Sequence, residues 1–565
     1  RAMYRPGETV SIKGWMRRLT RGVDGDVELP STNDADRVRY RVIDPLGNEV
    51  ASGEAPLNSL SGFHFQFELP ENINLGYSQV EIEAIGGFLE SLPGAGYTVH
   101  SIQVQEFRRP EFEVTASATE GPHMVGGHAI ATVSAKYFAG GPLPNADVDW
   151  LVTASPTTYR PPNWNGFVFG TWVPWWRAYS FGGQTTSARF TSRTDAAGEH
   201  HLRIDFDPSD PPQPQLISAE ATVMDVNRQA WTAGTDLLVH PAELYVGMRS
   251  DRFFVARGEP IVVELAVTDL DGNAVAGHPV TVKAARMDWE LVHGNWEEVE
   301  KDVQTCQVET TDASDPGDPN AEFAACTFET ELGGRYQITA TVEDDQGRKN
   351  QSQITRWVGG AGRPPARNVE QEEVNLIPDG ETYQPGDVAE ILVQAPFYPA
   401  EGMVTLRREG LISTERFTMD GPTYTLKVPI EDRYIPNFFV QVDLVGEAVR
   451  TDDQGNPRED LPKRPAYATG SLRISVPPLS RTLHVEAAPQ AERLEPGGET
   501  TIDLTVTDAD GAPVADAELA VVVVDEAILA LTNYQLTDPI SVFYAGRGAG
   551  VEDVHNRANI LLASP

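Results

Sequence analysis

The chain is 565 residues long and 40% hydrophobic, enough for several cores at about 100–200 residues per domain. Its net charge of −39 is spread along the chain, which argues against DNA or RNA as a partner because phosphates demand a basic surface. No apolar stretch reaches the ~18–20 residues of a membrane-spanning helix, and 49 Gly and 42 Pro punctuate the chain throughout, so a soluble, turn-rich protein is predicted.

One unit recurs from end to end. A Gly-containing turn followed by an alternating strand appears as YRPGETVSIKGW from Tyr4, HMVGGHAIATVSAKYF from His123, VARGEPIVVELAVTD from Val255, YQPGDVAEILVQAPF from Tyr383 and LEPGGETTIDLTVTD from Leu494. The markers Gly7, Gly126, Gly258, Gly386 and Gly497 lie roughly 110–130 residues apart, the size of one β-sandwich. The fold class predicted is all-β, a tandem array of about five antiparallel β-sandwich domains with few short helices. The domains are 1–111, 112–241, 242–365, 366–479 and 480–565. Links near Pro110, Pro241, Pro364 and Pro477 are only a few residues long, which predicts a semi-rigid arc. The chain opens at Arg1 in what reads as mid-domain, as a segment of something longer at both ends.

Two insertions interrupt the plan. Residues 159–181 hold Trp164, Trp172, Trp175 and Trp176 in a loop-like setting, either packing against a module or contacting a partner. Gly446 to Pro465 is a charged excursion. Between strand-like runs in the third unit lie Cys306 and Cys326, the two cysteines of the chain, which a hairpin-like excursion can join as a disulfide; two unpaired thiols are the other reading. A disulfide implies an oxidising compartment.

Catalytic chemistry finds no support. There is no GxSxG elbow, no HExxH, no phosphate cradle and no metal-spaced Cys/His cluster, so no enzyme and no cofactor are predicted. His200 and His201 are adjacent, so on a strand they point to opposite faces, and both read as surface residues. Asp269–Gly272 and Asp508–Gly511 begin like calcium loops but lack the remaining ligands, and read as hairpin turns. Asp205, Asp207 and Asp210 read as a solvated loop. The sequon at Asn350 carries no functional weight.

The end of the chain holds its most apolar run. Leu519 to Val524 is predicted to be a strand buried on both faces. Asp525 can cap a short helix bearing Ile528, Leu529 and Leu531, and Asp538-Pro539 starts another that Gly546 stops. From Ala545 to Pro565 there is no periodic apolar pattern. This stretch is either a mobile segment or the start of another strand.

Five motifs together resemble the α2-macroglobulin family, specifically its bacterial members: Tyr4 to Trp15, FRRPEFEV from Phe107, LVHPAELYVG from Leu238, YQPGDVAEILVQAPFYPAEGMVTLRREG from Tyr383 and VDEAILALTNYQLTDPISVFY from Val524. The resemblance implies macroglobulin-like, fibronectin-III-like sandwiches that cage a protease, and a bait segment after the last motif whose cleavage triggers collapse and entrapment. It implies a host-defence inhibitor of endopeptidases on the cell envelope, extracytoplasmic in the periplasm or at the surface, with a lipid anchor in view. The partners implied are proteases, the remaining C-terminal domains of the same protein, and a peptidoglycan synthase. A thioester with a Cys-x-Glu-Gln motif belongs to the family, and neither Cys306 nor Cys326 sits in one. Candidate bait cleavage positions are Arg547 and Arg557 for trypsin-like enzymes, and Ile560, Leu561 and Leu562 for elastase- or subtilisin-like ones. The alternative is a structural or adhesive surface scaffold, with the four tryptophans as its contact site.

Overall fold

The computed structural model describes the chain apart from residues 1–2, 93, 106–111, 138–139, 177–184, 227, 293–294, 319–320, 361–371, 451–457, 492, 496–497, 524–535 and 554–565. Almost all its regular structure is strand, arranged as successive two-sheet sandwiches. In the first, strands Met3–Tyr4, Tyr97–Val104, Gly76–Ile85, Arg37–Ile43 and Glu49–Pro56 form one sheet, and Thr9–Trp15 with Gly62–Glu68 the other. The period-two pattern decides which side chains face inward: Val38, Val42, Phe65, Phe67, Val80 and Ile102 meet in one core. The second, third and fourth modules repeat this plan with sheets of three and five, four and five, and five and three strands.

The repeated Gly-containing turn has a single structural cause. In each of the first four modules a short strand or bridge pairs in parallel with the module's last strand as a clasp; the other parallel pairings described are Glu372–Glu373 on the last strand of the fourth module and the bridge from Thr171 to Gln353, and the remaining ladders are antiparallel. The chain then crosses to the opposite sheet through a glycine at positive φ: Gly7, Gly126, Gly258 and Gly386, at 78°, 83°, 86° and 101°. The same N–H in each donates across the crossing, to the carbonyls of Leu69, Phe206, Thr330 and Ile430 at 2.8–3.0 Å. Gly497 lies outside the described residues.

A second local device sets the hairpins. Asp44, Asp195, Asp225, Asp269, Asp344 and Asp508 each accept, through Oδ1, the backbone N–H four residues on. Asp269 also holds the Asn273 amide with Oδ2, so its carboxylate is committed to its own turn. The acidic Asp-Gly sites are therefore turns. Asn350 is 2% exposed and accepts the Val246 N–H, which encloses the sequon. His201 is a surface residue beside Thr132, but His200 turns inward and accepts a hydrogen bond from the Trp150 indole at 3.0 Å, a core contact that the sequence reading placed in solvent.

The links are braced by side chains. At the Pro241 link, His240 shares a hydrogen bond with the Tyr245 hydroxyl at 2.8 Å, the Tyr159 ring stands edge-on to it, and His123 is near; burial pushes the imidazole down to about 4. Cys306 and Cys326 are joined by a disulfide, with Cα atoms 6.0 Å apart, linking facing strands of the third module.

The fifth module departs from expectation. Among the described residues it contains one ladder, His484–Pro489 with Ile502–Thr507, and the helix Pro539–Phe543. Residues 519–523 form no strand, and Val521, Val522 and Val523 are 58%, 50% and 81% exposed. The buried strand predicted over 519–524 is corrected over 519–523, residue 524 lying outside the described residues: apolar, β-branched sequence supplies strand propensity, but burial on two faces needs an opposing sheet, and among the described residues of this module one two-stranded ladder does not provide it. The Asp525 helix lies outside the described residues.

Reduction of Cys306–Cys326 opens a 20-residue separation and should lower the unfolding free energy of the third module by about 3 kcal/mol, read as a shift in denaturant midpoint with and without reductant. His240 is held neutral, with a folded pKa below its ordinary 6.5. Stability contributed by the neutral ring is present above pH 6.5 and lost as pH falls towards 4, so the melting-temperature advantage of wild type over His240→Gln should shrink from about pH 7.5 to about pH 5.

Candidate functional site

The stretch after the last helix, read from sequence as either a mobile segment or the start of another strand, is clamped over residues 545–553. Asp538 caps the helix Pro539–Phe543, accepting the N–H groups of Ile540 and Ser541 at 3.0 and 3.1 Å, with Pro539 in the first turn. The chain then runs as a strap over residues 545–553 along the fourth module. Asn437 grips both backbone groups of Arg547: its Oδ1 accepts the N–H at 2.8 Å and its Nδ2 donates to the carbonyl at 2.9 Å. Glu409 and Gly410 donate their N–H groups to the carbonyls of Gly548 and Ala549 at 2.8 and 3.0 Å. Arg407 closes the far end with a fork onto both carboxylate oxygens of Asp553 at 2.5 and 2.8 Å, and Gln441 adds a donor at 2.9 Å.

Two glycines make the fit possible. A Cβ at Gly546 would stand 2.5 Å from the Arg473 guanidinium, and one at Gly550 would stand 2.4 Å from the carbonyl carbon of Glu409. Gly550 also sits at φ 66°.

The turn Arg407–Gly410 that holds the strap also holds the first module. Arg408, 1% exposed, donates to the carbonyls of Gly25 at 2.8 Å, Val23 at 3.2 Å and Gly22 at 3.4 Å, and to Ile435 at 2.6 Å. Burial, and next the neighbouring Arg547, push its pKa down from the ordinary arginine value. Arg433 reaches Asp24 at 2.9 Å and Arg481 reaches Asp26 at 3.5 Å. From the fifth module, Glu518 accepts from Lys13, from the Trp15 indole at 3.1 Å and from Asn58 at 2.6 Å, and Arg17 lies over the Phe543 ring. The predicted arc thus folds back on itself, because the hairpin of residues 18–28 offers carbonyls and carboxylates to arginines of the fourth module.

Arg547 is the consequence for the predicted cleavage positions. It is 6% exposed, with its guanidinium on the Thr20 carbonyl at 2.9 Å and on Glu409 at 3.0 Å. A protease needs several residues of accessible extended chain, which an enclosed, hydrogen-bonded strap does not offer, so Arg547 is corrected from scissile residue to structural clamp. Arg557, Ile560, Leu561 and Leu562 lie outside the described residues. Arg407 and Arg408 end the motif that begins at Tyr383, but nothing in the sequence gives them a partner, and Asn437 and Asp553 carry no sequence signal.

The four tryptophans are packed between modules. The insertion leaves the second module and adds the strand Val168–Phe169 to the edge of the third, where Gly247 is bare because a Cβ would meet the Phe169 ring at 2.7 Å. Trp164, 1% exposed, donates to the Gly272 carbonyl at 2.8 Å and packs on Phe167 and Phe323. Trp172 and Trp176 join Phe253 and Trp357 of the third module, with Ile377 and Leu392 of the fourth in the same cluster. Trp175 lies edge-on to Trp176 and packs against the core of the fourth module. Arg356, 3% exposed, stacks over Trp172 and Phe253, and burial pushes it down to about 10. Of the two readings of the insertion, packing against a module is the one the structure shows, and the rings lie at the junction because two sandwiches meeting there leave concave space for them. Trp164→Ala should destabilise the protein by about 3–5 kcal/mol in calorimetric or denaturant unfolding.

The MG2 domain family matches residues 1–104, and the alpha-2-macroglobulin bait region domain matches residues 374–531, ending before the strap. The chain is 23% identical to circularly permutated Ras protein 2 of Dictyostelium discoideum over 96% of its own length and 15% of that protein. It is 22% identical to an alpha-2-macroglobulin homolog of Nostoc over 100% of its own length and 28% of that protein. The native conformation of Escherichia coli alpha-2-macroglobulin, solved by cryo-electron microscopy, aligns over 97% of this chain and 33% of that one, with TM-score 0.46 and 18% identity. The chain thus spans well under half the length of these relatives. The MG2 family model thus covers the first sandwich and the bait region model the fourth module and the start of the fifth, and over both stretches the chain is similar to the α2-macroglobulin family.

Proposed function

We propose that this chain is part of a broad-range protease-trapping inhibitor, in which cleavage of a bait beyond Asp553 triggers collapse of the array around the protease. The observation that carries the reading is the bait region domain match over residues 374–531. The protein acts as a substrate-like trap and not as a catalyst, and its partners are proteases and the remaining domains of the same protein. Arg557 suits trypsin-like enzymes, and Ile560, Leu561 and Leu562 suit elastase- or subtilisin-like ones. The Cys306–Cys326 disulfide supports an oxidising, extracytoplasmic setting, the periplasm or cell surface, with lipid anchoring and a peptidoglycan synthase partner as further parts of the same proposal. Among the described residues no helix is long and apolar enough to cross a membrane. A purely adhesive scaffold loses its proposed contact site, since the tryptophans are packed between modules.

Limited proteolysis of the full-length protein with trypsin, elastase and subtilisin tests this. Each should cut first within 554–565 or just beyond, and the bound protease should keep activity on a small chromogenic peptide while losing it on a large protein substrate. First cuts scattered over residues 446–465 and the tryptophan insertion, with no change in hydrodynamic size, would sink the trapping function.

A further inference from the structure

We infer that residues 545–553 are a latch: the strap and the first module are held by neighbouring residues of one turn, Arg407–Gly410, so that loosening the strap loosens the contact between the first and fourth modules. The inference rests on the reading that a cleavable segment follows Asp553, and adds how a cut there is felt where the first and fourth modules meet.

The geometry is interleaved. Arg407, Glu409 and Gly410 hold the strap, through Asp553 and the carbonyls of Gly548 and Ala549, while Arg408 between them holds the carbonyls of Gly22, Val23 and Gly25. Arg547 bridges the two directly, giving one guanidinium to Glu409 of the fourth module and to the Thr20 carbonyl of the first. If the strap leaves, Arg407, whose side chain is 5% exposed, loses its carboxylate, Glu409 loses its guanidinium, and two backbone donors lose their acceptors. A buried charge without its partner is too costly to persist, so the turn must rearrange and expose these groups to water. Arg408 is carried by that turn and cannot keep its carbonyl contacts if the turn moves. Among the contacts of the hairpin of residues 18–28 that do not run through the turn are the rim pairs Arg433–Asp24 and Arg481–Asp26, whose carboxylates are 72% and 39% exposed. Such pairs are weak in water. Gly546 and Gly550 allow the strap to seat only where backbone and guanidinium already crowd the space, the mark of a fitted segment rather than a chance crossing.

The test is hydrogen exchange on uncut full-length protein, comparing wild type with Asp553→Asn and Arg547→Gln. Asp553 is the milder site, its side chain being 33% exposed, so that variant keeps the question open to measurement if Arg547→Gln fails to fold. Expected is at least about tenfold faster exchange of the Glu409 and Gly410 amides and, in the same sample, of the Thr20 amide and the peptide over residues 18–28, with the strands of the second module unchanged. Faster exchange at Glu409 and Gly410 with residues 18–28 unchanged would overturn the coupling, and no acceleration at either place would overturn the clamp itself. No protease is used, so failure here leaves the trapping assay standing. Equally, a negative trapping assay with this exchange pattern intact would remove the bait reading alone.

Discussion

The buried guanidinium of Arg408 is the constraint on which the closed arrangement depends. A cation at 1% exposure needs acceptors, and four carbonyls, three of them from the first module and one from Ile435, supply them. Three of those carbonyls are far away in sequence, so the first and fourth modules must meet wherever this side chain is satisfied. Arg547 and Arg407 crowd the same turn, and Glu409 and Asp553 balance them. The result is a node of three arginines and two carboxylates at which the first module, the fourth module and the strap converge.

Within each module a simpler rule operates. The chain must change sheets after its opening clasp, and a glycine at positive φ lets it do so while its N–H finds a carbonyl on the other side. Hairpins are then set by aspartates that bond their own backbone four residues on. These two devices use only local chemistry, which explains why they recur so faithfully where side chains in the cores do not.

Between modules the chemistry changes from local to shared. The tryptophan insertion lends a strand to its neighbour and fills the junction with rings, and the disulfide ties two facing strands of the third module. Arg356 is buried among those rings, where the faces of Trp172 and Phe253 stand in for solvent. The joints are thus packed like cores, and the array is stiffer than a string of independent sandwiches.

The sequence by itself determined what depends on short-range chemistry: the all-β class, the sandwich period, the Asp-Gly hairpins and the Asp538 cap. The hairpins and the cap are legible because the residues that make each are within a few positions of one another, and the class and period because alternation and recurrence are properties of the sequence itself. Tertiary structure alone decided the fate of Arg547, of Val521 to Val523 and of the four tryptophans. An arginine on a segment with no apolar period looks solvated until Thr20 and Glu409 are brought to it, and an apolar run looks buried until the sheet that would cover it is sought. Burial is a property of what arrives from elsewhere in the chain, and that arrival leaves no mark on the residues nearby.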